Sequence, residues 1–474
     1  MRKLSSRLPL FALAAVAACS DTSGPGSSGA PISAATAETP NPTGRHIVEF
    51  AGGAPSGFTA RVTALGGSVV WSASNAGLAT VTGLSATAAD NLSRAPGVKA
   101  VNEDIAISLE APMAGTVADA GVGGVASQAA PAGSFFFARQ WNMRAVHADQ
   151  AWAAGYLGSP SVSVFLLDTG IDYNYLDLQG RVDLTRSVDL LGTFTTGGVS
   201  FTEADTVQKY FPGRLPFTDL YFHGTHVGAT ISSNALAAAG VTSRTTLVAV
   251  KVCAYLDICP LSSVLNGVIY AADHGADVIN LSLGGGFVKE HGGALVSLIN
   301  RTFNYARSKG VTIVVSAGNS AADLDHNGNV YVTYCNDPAV ICVAATGPTA
   351  EASINGPYTA IDAAASYSNF GRSAIDVAAP GGNGSSFVYA ACSGTSLIVP
   401  ICGTGTFVIG AQGTSMASPH VAGAAALLVQ QLGRNPGAIK SRLLSTADDL
   451  GQSGTDQLYG KGRLNVARAV GAVQ

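Results

Sequence analysis

Four stretches of this chain are apolar without any alternation: VSVFLL (162–167), TLVAVKV (246–252), ADVINLSL (276–283) and VTIVVSAG (311–318). A strand with one wet face alternates, so unbroken β-branched runs of this length suit strands buried on both faces. Between them lie LSSVLNGVIYAADHG and ALVSLINRTFNYARSKG, each long enough for a helix. Strands and helices in alternation imply an α/β fold, a mostly parallel sheet with helices on both faces.

This block runs over 139–474. Ahead of it, 45–109 contains strand-like HIVEF and GLATVTGL and helix-like GFTARVTALG and SATAADNLSRAPG, and closes on GVKAVNEDIAISL. That pattern predicts a small α+β domain. Small, polar, Pro/Gly-rich stretches flank it. Residues 20–44 read as a disordered tether and 110–138 as a flexible linker.

Residues 1–19 carry Arg2, Lys3 and Arg7 before an apolar run from Leu8 to Ala18, too short to span a bilayer. The run ends in VAACS, which resembles a bacterial lipoprotein signal with Cys19 as the lipidated residue. An ordinary signal peptide with Cys19 incidental is the alternative. Localisation outside the cytoplasm is expected either way, with a lipid anchor, if present, as the only membrane contact. Setting Cys19 aside leaves six of the seven cysteines. Six allow 15 pairings; short loops cost least entropy to close, so Cys253–Cys259, Cys335–Cys342 and Cys392–Cys402 are expected in an oxidising compartment. The alternative is six free thiols in a reducing one. A net charge of −4 offers nothing to attract nucleic acid.

Functional groups in open α/β sheets gather beyond the carboxyl ends of the strands. Asp168 follows the first apolar run. Asn319 follows the fourth, in a Gly-Asn turn. His223 precedes a small-residue helix, and Ser415 stands at the mouth of an Ala-rich one, where unpaired N–H groups and the dipole favour negative charge. Each alone is explained as a cap, a turn or a surface residue. Together they supply a carboxylate, an imidazole and a hydroxyl in the chain order Asp, His, Ser.

The segments DTGID, HGTHV, SAGN and GTSMASPHVAG are similar to the four signature segments of subtilisin-like serine proteases, a resemblance reaching from about 140 to the C-terminus. It implies a serine endopeptidase that hydrolyses protein or peptide substrates through an acyl-enzyme. Asp168 would orient His223, His223 would take the proton of Ser415, and Asn319 with the Ser415 backbone N–H would form the oxyanion hole. NLSLGGG resembles the edge that pairs with substrate, which gives Ser282, Leu283, Gly284 and Gly285 as binding residues. The 45–109 block resembles the family's propeptide, an intramolecular inhibitor, which implies a ferredoxin-like fold for it and a monomeric zymogen with a processing site in 110–138.

Catalysis on this pattern requires no cofactor. Structural Ca²⁺ is a candidate at DLDHNGN, where Asp323, Asp325 and Asn327 alternate as oxygen ligands, although the bidentate glutamate of an EF-hand is missing. The competing reading there is a polar Asn-Gly turn. His226, Asp172, Asp177 and His420 lie close to the motifs but are expected to be structural. The chain departs from the family at Gly228 and Ala229, whose order is reversed, and at YNYLDL after the aspartate motif. The first of two Gly-Thr-Ser segments, ending at Ser396, sits between Cys392 and Cys402 with Pro400 discouraging a helix, so Ser415, in the other, is the nucleophile of choice. An esterase, or a scaffold that has lost activity, is the rival function.

Overall fold

The computed structural model describes residues 42–109, 113–119, 129–196, 198–332 and 334–473. Residues 1–19, read as a signal with Cys19 at its end, and nearly all of the expected tether lie outside the described residues. Among the described residues no helix is long and apolar enough to cross a membrane.

The centre of the molecule is a seven-stranded sheet in the order Val377–Pro380, Val340–Thr346, Thr312–Ser316, Val278–Leu281, Ser163–Asp168, Thr246–Lys251, Val188–Asp189. All six pairings are parallel. The four apolar runs are the four central strands, and the Ser163–Asp168, Val278–Leu281 and Thr312–Ser316 strands are buried at every residue. Two apolar clusters cover the faces. Leu166, Val314 and Val343 join one, with the helix Thr414–Leu432. Phe165, Ile313 and Val315 join the other, with the helices Leu261–Asp273 and Lys289–Ser308. Successive residues of one strand therefore serve opposite layers, which is the expected α/β sandwich.

Residues 42–107 fold as strand–helix–strand–strand–helix–strand: Pro42–Phe50, Phe58–Ala64, Ser68–Ala73, Leu78–Thr82, Ala86–Ser93 and Val98–Ile107. The last strand lies beside the first, as in a ferredoxin-like split βαβ. Val48, Phe50, Val62, Val81 and Leu92 form its own core. The other face is shared: Ile47, Leu78, Ile105, Ile107 and Leu109 join the apolar cluster that contains Leu261, Leu265 and Leu283.

Two expectations need correction. The tether ends earlier than its composition suggests, because the first strand begins at Pro42. Within the stretch read as flexible, Met113–Asp119 is a strand, paired antiparallel with Phe407–Gln412, and short 3₁₀ turns follow at Pro131–Gly133 and Phe137–Arg139. Its small residues resemble a linker, but a neighbouring strand edge satisfies their backbone groups. Gly115 is needed there, since a Cβ would lie 2.5 Å from the Phe387 ring.

Candidate active site

Asp168 ends its strand at the carboxyl edge of the sheet, and the helix His223–Ile231 starts against the turn that follows. The approach is close: a Cβ on Gly224 would fall 2.0 Å from the Gly170 carbonyl oxygen and 3.1 Å from Asp168 Oδ1. Only glycine lets the helix begin there. His223 Nδ1 consequently meets Asp168 Oδ1 at 2.6 Å, with both side chains wholly buried. The Thr169 backbone N–H donates to the same oxygen at 2.7 Å. These bonds fix the imidazole with Nδ1–H toward the carboxylate and Nε2 as the basic nitrogen.

Ser415 occupies the first turn of the helix Thr414–Leu432 and is 1% exposed. Pro419 has no N–H for the Ser415 carbonyl four residues back. Ser282 Oγ donates to that carbonyl at 2.9 Å instead, and lies 2.6 Å from Ser418 Oγ. The Ser415 hydroxyl in turn donates to the Ser282 carbonyl at 3.0 Å, while among the described residues His223 Nε2 meets no hydrogen-bond partner. The residue expected to bind substrate thus also locks the helix that carries Ser415. Asn319 Oδ1 accepts from the Thr414 N–H at 2.8 Å and its hydroxyl at 2.9 Å, which commits the other end of the amide, its NH₂, to donating.

Beneath Asp168 lies a group of charges that the motifs did not reveal. Lys251, in register with Asp168 across the sheet, is fully buried. Its ammonium contacts Glu203 Oε1 at 2.6 Å and donates to the carbonyls of Thr169 at 2.7 Å and Thr218 at 2.8 Å. Asp219 accepts from Thr169 Oγ1 at 2.9 Å and from the N–H and hydroxyl of Thr225, so it ties the aspartate turn to the histidine helix. Burial pushes the carboxyls of Asp189, Glu203 and Asp219 up, with Lys251 the leading opposing influence on each.

The loop with the first Gly-Thr-Ser serves the same neighbourhood. The hydroxyls of Ser393 and Thr395 both donate to the Asp219 carbonyl, at 2.7 and 2.8 Å, and Ser396 Oγ donates to that of Tyr221. Ser396 is a turn residue that braces the approach to His223. Its staple Cys392–Cys402 is formed, as are Cys253–Cys259 and Cys335–Cys342.

The neighbours of the motifs are structural. Burial lowers His226 to about 3 and His420 to about 4. The first donates from Nε2 to the Val388 carbonyl, and the second bridges the Met416 carbonyl and Asn142. Asp177 caps the N–H groups of Leu236, Ala237 and Ala238, and Asp172 binds Arg214 and the Gly394 N–H. The exchanged Gly228 leaves ordinary contact room, 3.5 Å to Ile171, Leu166 and Leu247, so the reversal costs no packing.

The three side chains of the candidate cation loop each have a protein partner. Asp325 accepts from the Ser373 N–H and hydroxyl, Asp323 pairs with His326, and Asn327 Oδ1 faces Lys289 Nζ. Each side chain is turned to its own partner. Among the described residues no three His, Cys, Asp or Glu side chains gather as ligands. The alternating oxygens were real, but nearby donors claim them.

The last strand of the N-terminal block is held between two segments of the large domain. Ile107 pairs antiparallel with Cys259 on one side. On the other, a Cβ on Gly285 would lie 2.9 Å from the Ile107 Cβ. Arg45 and Asp104, which sequence reading passed over, hold the block down. The Arg45 guanidinium is buried against Ser263 Oγ (3.1 Å) and the carbonyls of Leu191 and Thr193. Asp104 caps the helix Leu261–Asp273 through the Ser262 N–H at 2.8 Å and hydroxyl at 2.6 Å.

Comparison with known proteins agrees with this geometry. Residues 159–462 match the model of the subtilase family, Peptidase_S8. The chain is 32% identical to thermitase of Thermoactinomyces vulgaris over 343 residues, 72% of this chain and 99% of that one. It is 31% identical to subtilisin DY of Bacillus licheniformis over 327 residues, 68% of this chain and 96% of that one. The epidermin leader peptide processing serine protease of Staphylococcus aureus shares the fold at a TM-score of 0.67 and 21% identity, over 90% of this chain and 97% of that one. A parallel sheet with a buried Asp–His pair at its carboxyl edge, and sequence identity along most of two subtilisin-type enzymes, make this chain a member of the subtilase family of serine endopeptidases.

Proposed function

We propose that the chain is an exported endopeptidase made as a zymogen, with Asp168, His223 and Ser415 as its catalytic triad. The carrying observation is the 2.6 Å contact between His223 Nδ1 and Asp168 Oδ1 at full burial, beside the helix mouth that holds Ser415. A turn about the Ser415 Cα–Cβ bond releases its hydroxyl from the Ser282 carbonyl toward His223 Nε2. The base then takes the proton as Oγ attacks the scissile carbonyl. Asn319 and the Ser415 backbone N–H receive the oxyanion, and His223 returns the proton to the leaving amine. Ser282, Leu283, Gly284 and Gly285 line the edge on which an extended peptide is held.

The 45–109 block acts as the inhibitory propeptide. Its support is the placement of Ile107 between Cys259 and Gly285, along the path a peptide substrate takes. Cleavage within 110–138 is self-catalysed, and Cys19, when lipidated, anchors the propeptide side of the cut. Protein and peptide substrates are the partners of the mature enzyme, which works as a monomer. The test is the purified Ser415→Ala protein: it should stay full length while the parent is trimmed. Trimming of that variant in a purified preparation would refute self-processing.

A further inference from the structure

The segment between Cys253 and Cys259 is pulled into a tight turn. Ala254 donates to the Ile258 carbonyl at 2.8 Å and Asp257 to the Ala254 carbonyl at 3.2 Å. Asp257 sits at φ 64°, in the left-handed region that costs a side chain strain and that Asp tolerates better than most. A strained residue on a stapled loop invites the question of what its side chain does. Its carboxylate reaches the end of the N-terminal block's last strand. Oδ1 accepts from the Leu109 backbone N–H at 2.7 Å, and Oδ2 from Ser108 Oγ at 2.8 Å. No Lys, Arg or His forms an ion pair with it among the described residues.

We infer that Asp257 is a specificity-determining residue of the mature enzyme. It grips the backbone N–H of a bound peptide at the place of Leu109 and selects the side chain one residue before it, at the place of Ser108. This rests on the reading that Ile107–Leu109 lies as a substrate does. The chemistry of selection follows from an unneutralised carboxylate. It accepts from a small hydroxyl, attracts Lys or Arg, and repels Asp or Glu, which would bring a second negative charge to within hydrogen-bonding distance. Because the chain continues beyond Leu109 toward any cut in 110–138, the selected residue stands at least second before the cleaved bond.

The experiment compares processed enzyme and its Asp257→Asn variant on quenched peptides that differ only in Ser, Lys or Glu, placed second or third before the cleaved bond. For the parent, kcat/KM with Ser or Lys should exceed that with Glu by about tenfold or more at one of these places, as expected for hydrogen bonds to a charged group. Asp257→Asn should bring that ratio to within about twofold at an unchanged melting temperature. An ester in place of the amide N–H at the Leu109 position should slow the parent by a similar factor and leave Asp257→Ala unaffected. The inference is overturned if the ratio survives in Asp257→Asn, or if the ester slows parent and variant equally. Failure of both enzymes to cleave any peptide or to react with a fluorophosphonate would instead overturn the endopeptidase reading, and this inference with it.

Discussion

Lys251→Met tests whether the charges beneath Asp168 act as one unit. The ammonium is fully buried, contacts Glu203 at 2.6 Å and supports two carbonyls, one of them Thr169 beside Asp168. It is also the leading charge opposing the burial of Asp189, Glu203 and Asp219. Methionine fills most of the volume but strands these carboxyls, so the cost is that of breaking a buried pair from one side, about 3–5 kcal/mol. Against a domain stability of about 5–15 kcal/mol, that is a large fraction. The assay is urea unfolding followed by tryptophan fluorescence, in a Ser415→Ala background to prevent self-digestion. Adding Glu203→Gln should recover at least about 1 kcal/mol, because the two sites share a contact and cannot be additive. A Lys251→Met protein within about 1 kcal/mol of its parent, or strictly additive losses, would refute the reasoning.

Three further outcomes follow from the same geometry. Asn319→Ala should lower kcat about 10²–10³-fold with KM nearly unchanged, the loss expected for one oxyanion donor; steady-state kinetics on one peptide decides it. Gly285→Ala puts a methyl 2.9 Å from the Ile107 Cβ, so the N-terminal block should loosen and Ser415 should become more readily labelled by a fluorophosphonate in the full-length protein. His420 has a native value of about 4 against 6.5 unfolded. The unfolded chain therefore takes up a proton first as pH falls, and stability is lost between about pH 6.5 and pH 4. His420→Gln should remove about 3 kcal/mol of that loss, read as a smaller difference between unfolding free energies at pH 7 and pH 4.

Much of this was legible because it is local. The apolar runs fixed the four central strands, and each signature segment carries its residue at the end of a strand or the start of a helix. The supporting charges were not legible because their partners are far apart in sequence. Lys251 stands out as a cation inside an apolar run, a signal that a buried counter-charge must exist, but nothing near it points to Glu203, 48 residues earlier. The strand Met113–Asp119 was hidden for a different reason. Its composition is that of a tether, and only the edge of Phe407–Gln412, almost 300 residues later, makes it a strand. Asp323, Asp325 and Asn327 have a ligand-like spacing, but their contacts to His326, Ser373 and Lys289 could not be read from it.

The central claim is that Ser415, activated by the Asp168–His223 pair, is the nucleophile. Treating the processed enzyme with a fluorophosphonate and locating the adduct by peptide mass spectrometry tests it most directly. The account predicts one adduct, on Ser415, formed in parallel with loss of peptide cleavage and strongly slowed in His223→Ala. An adduct on Ser396 or elsewhere, or undiminished peptide cleavage by a Ser415→Ala protein, would contradict it.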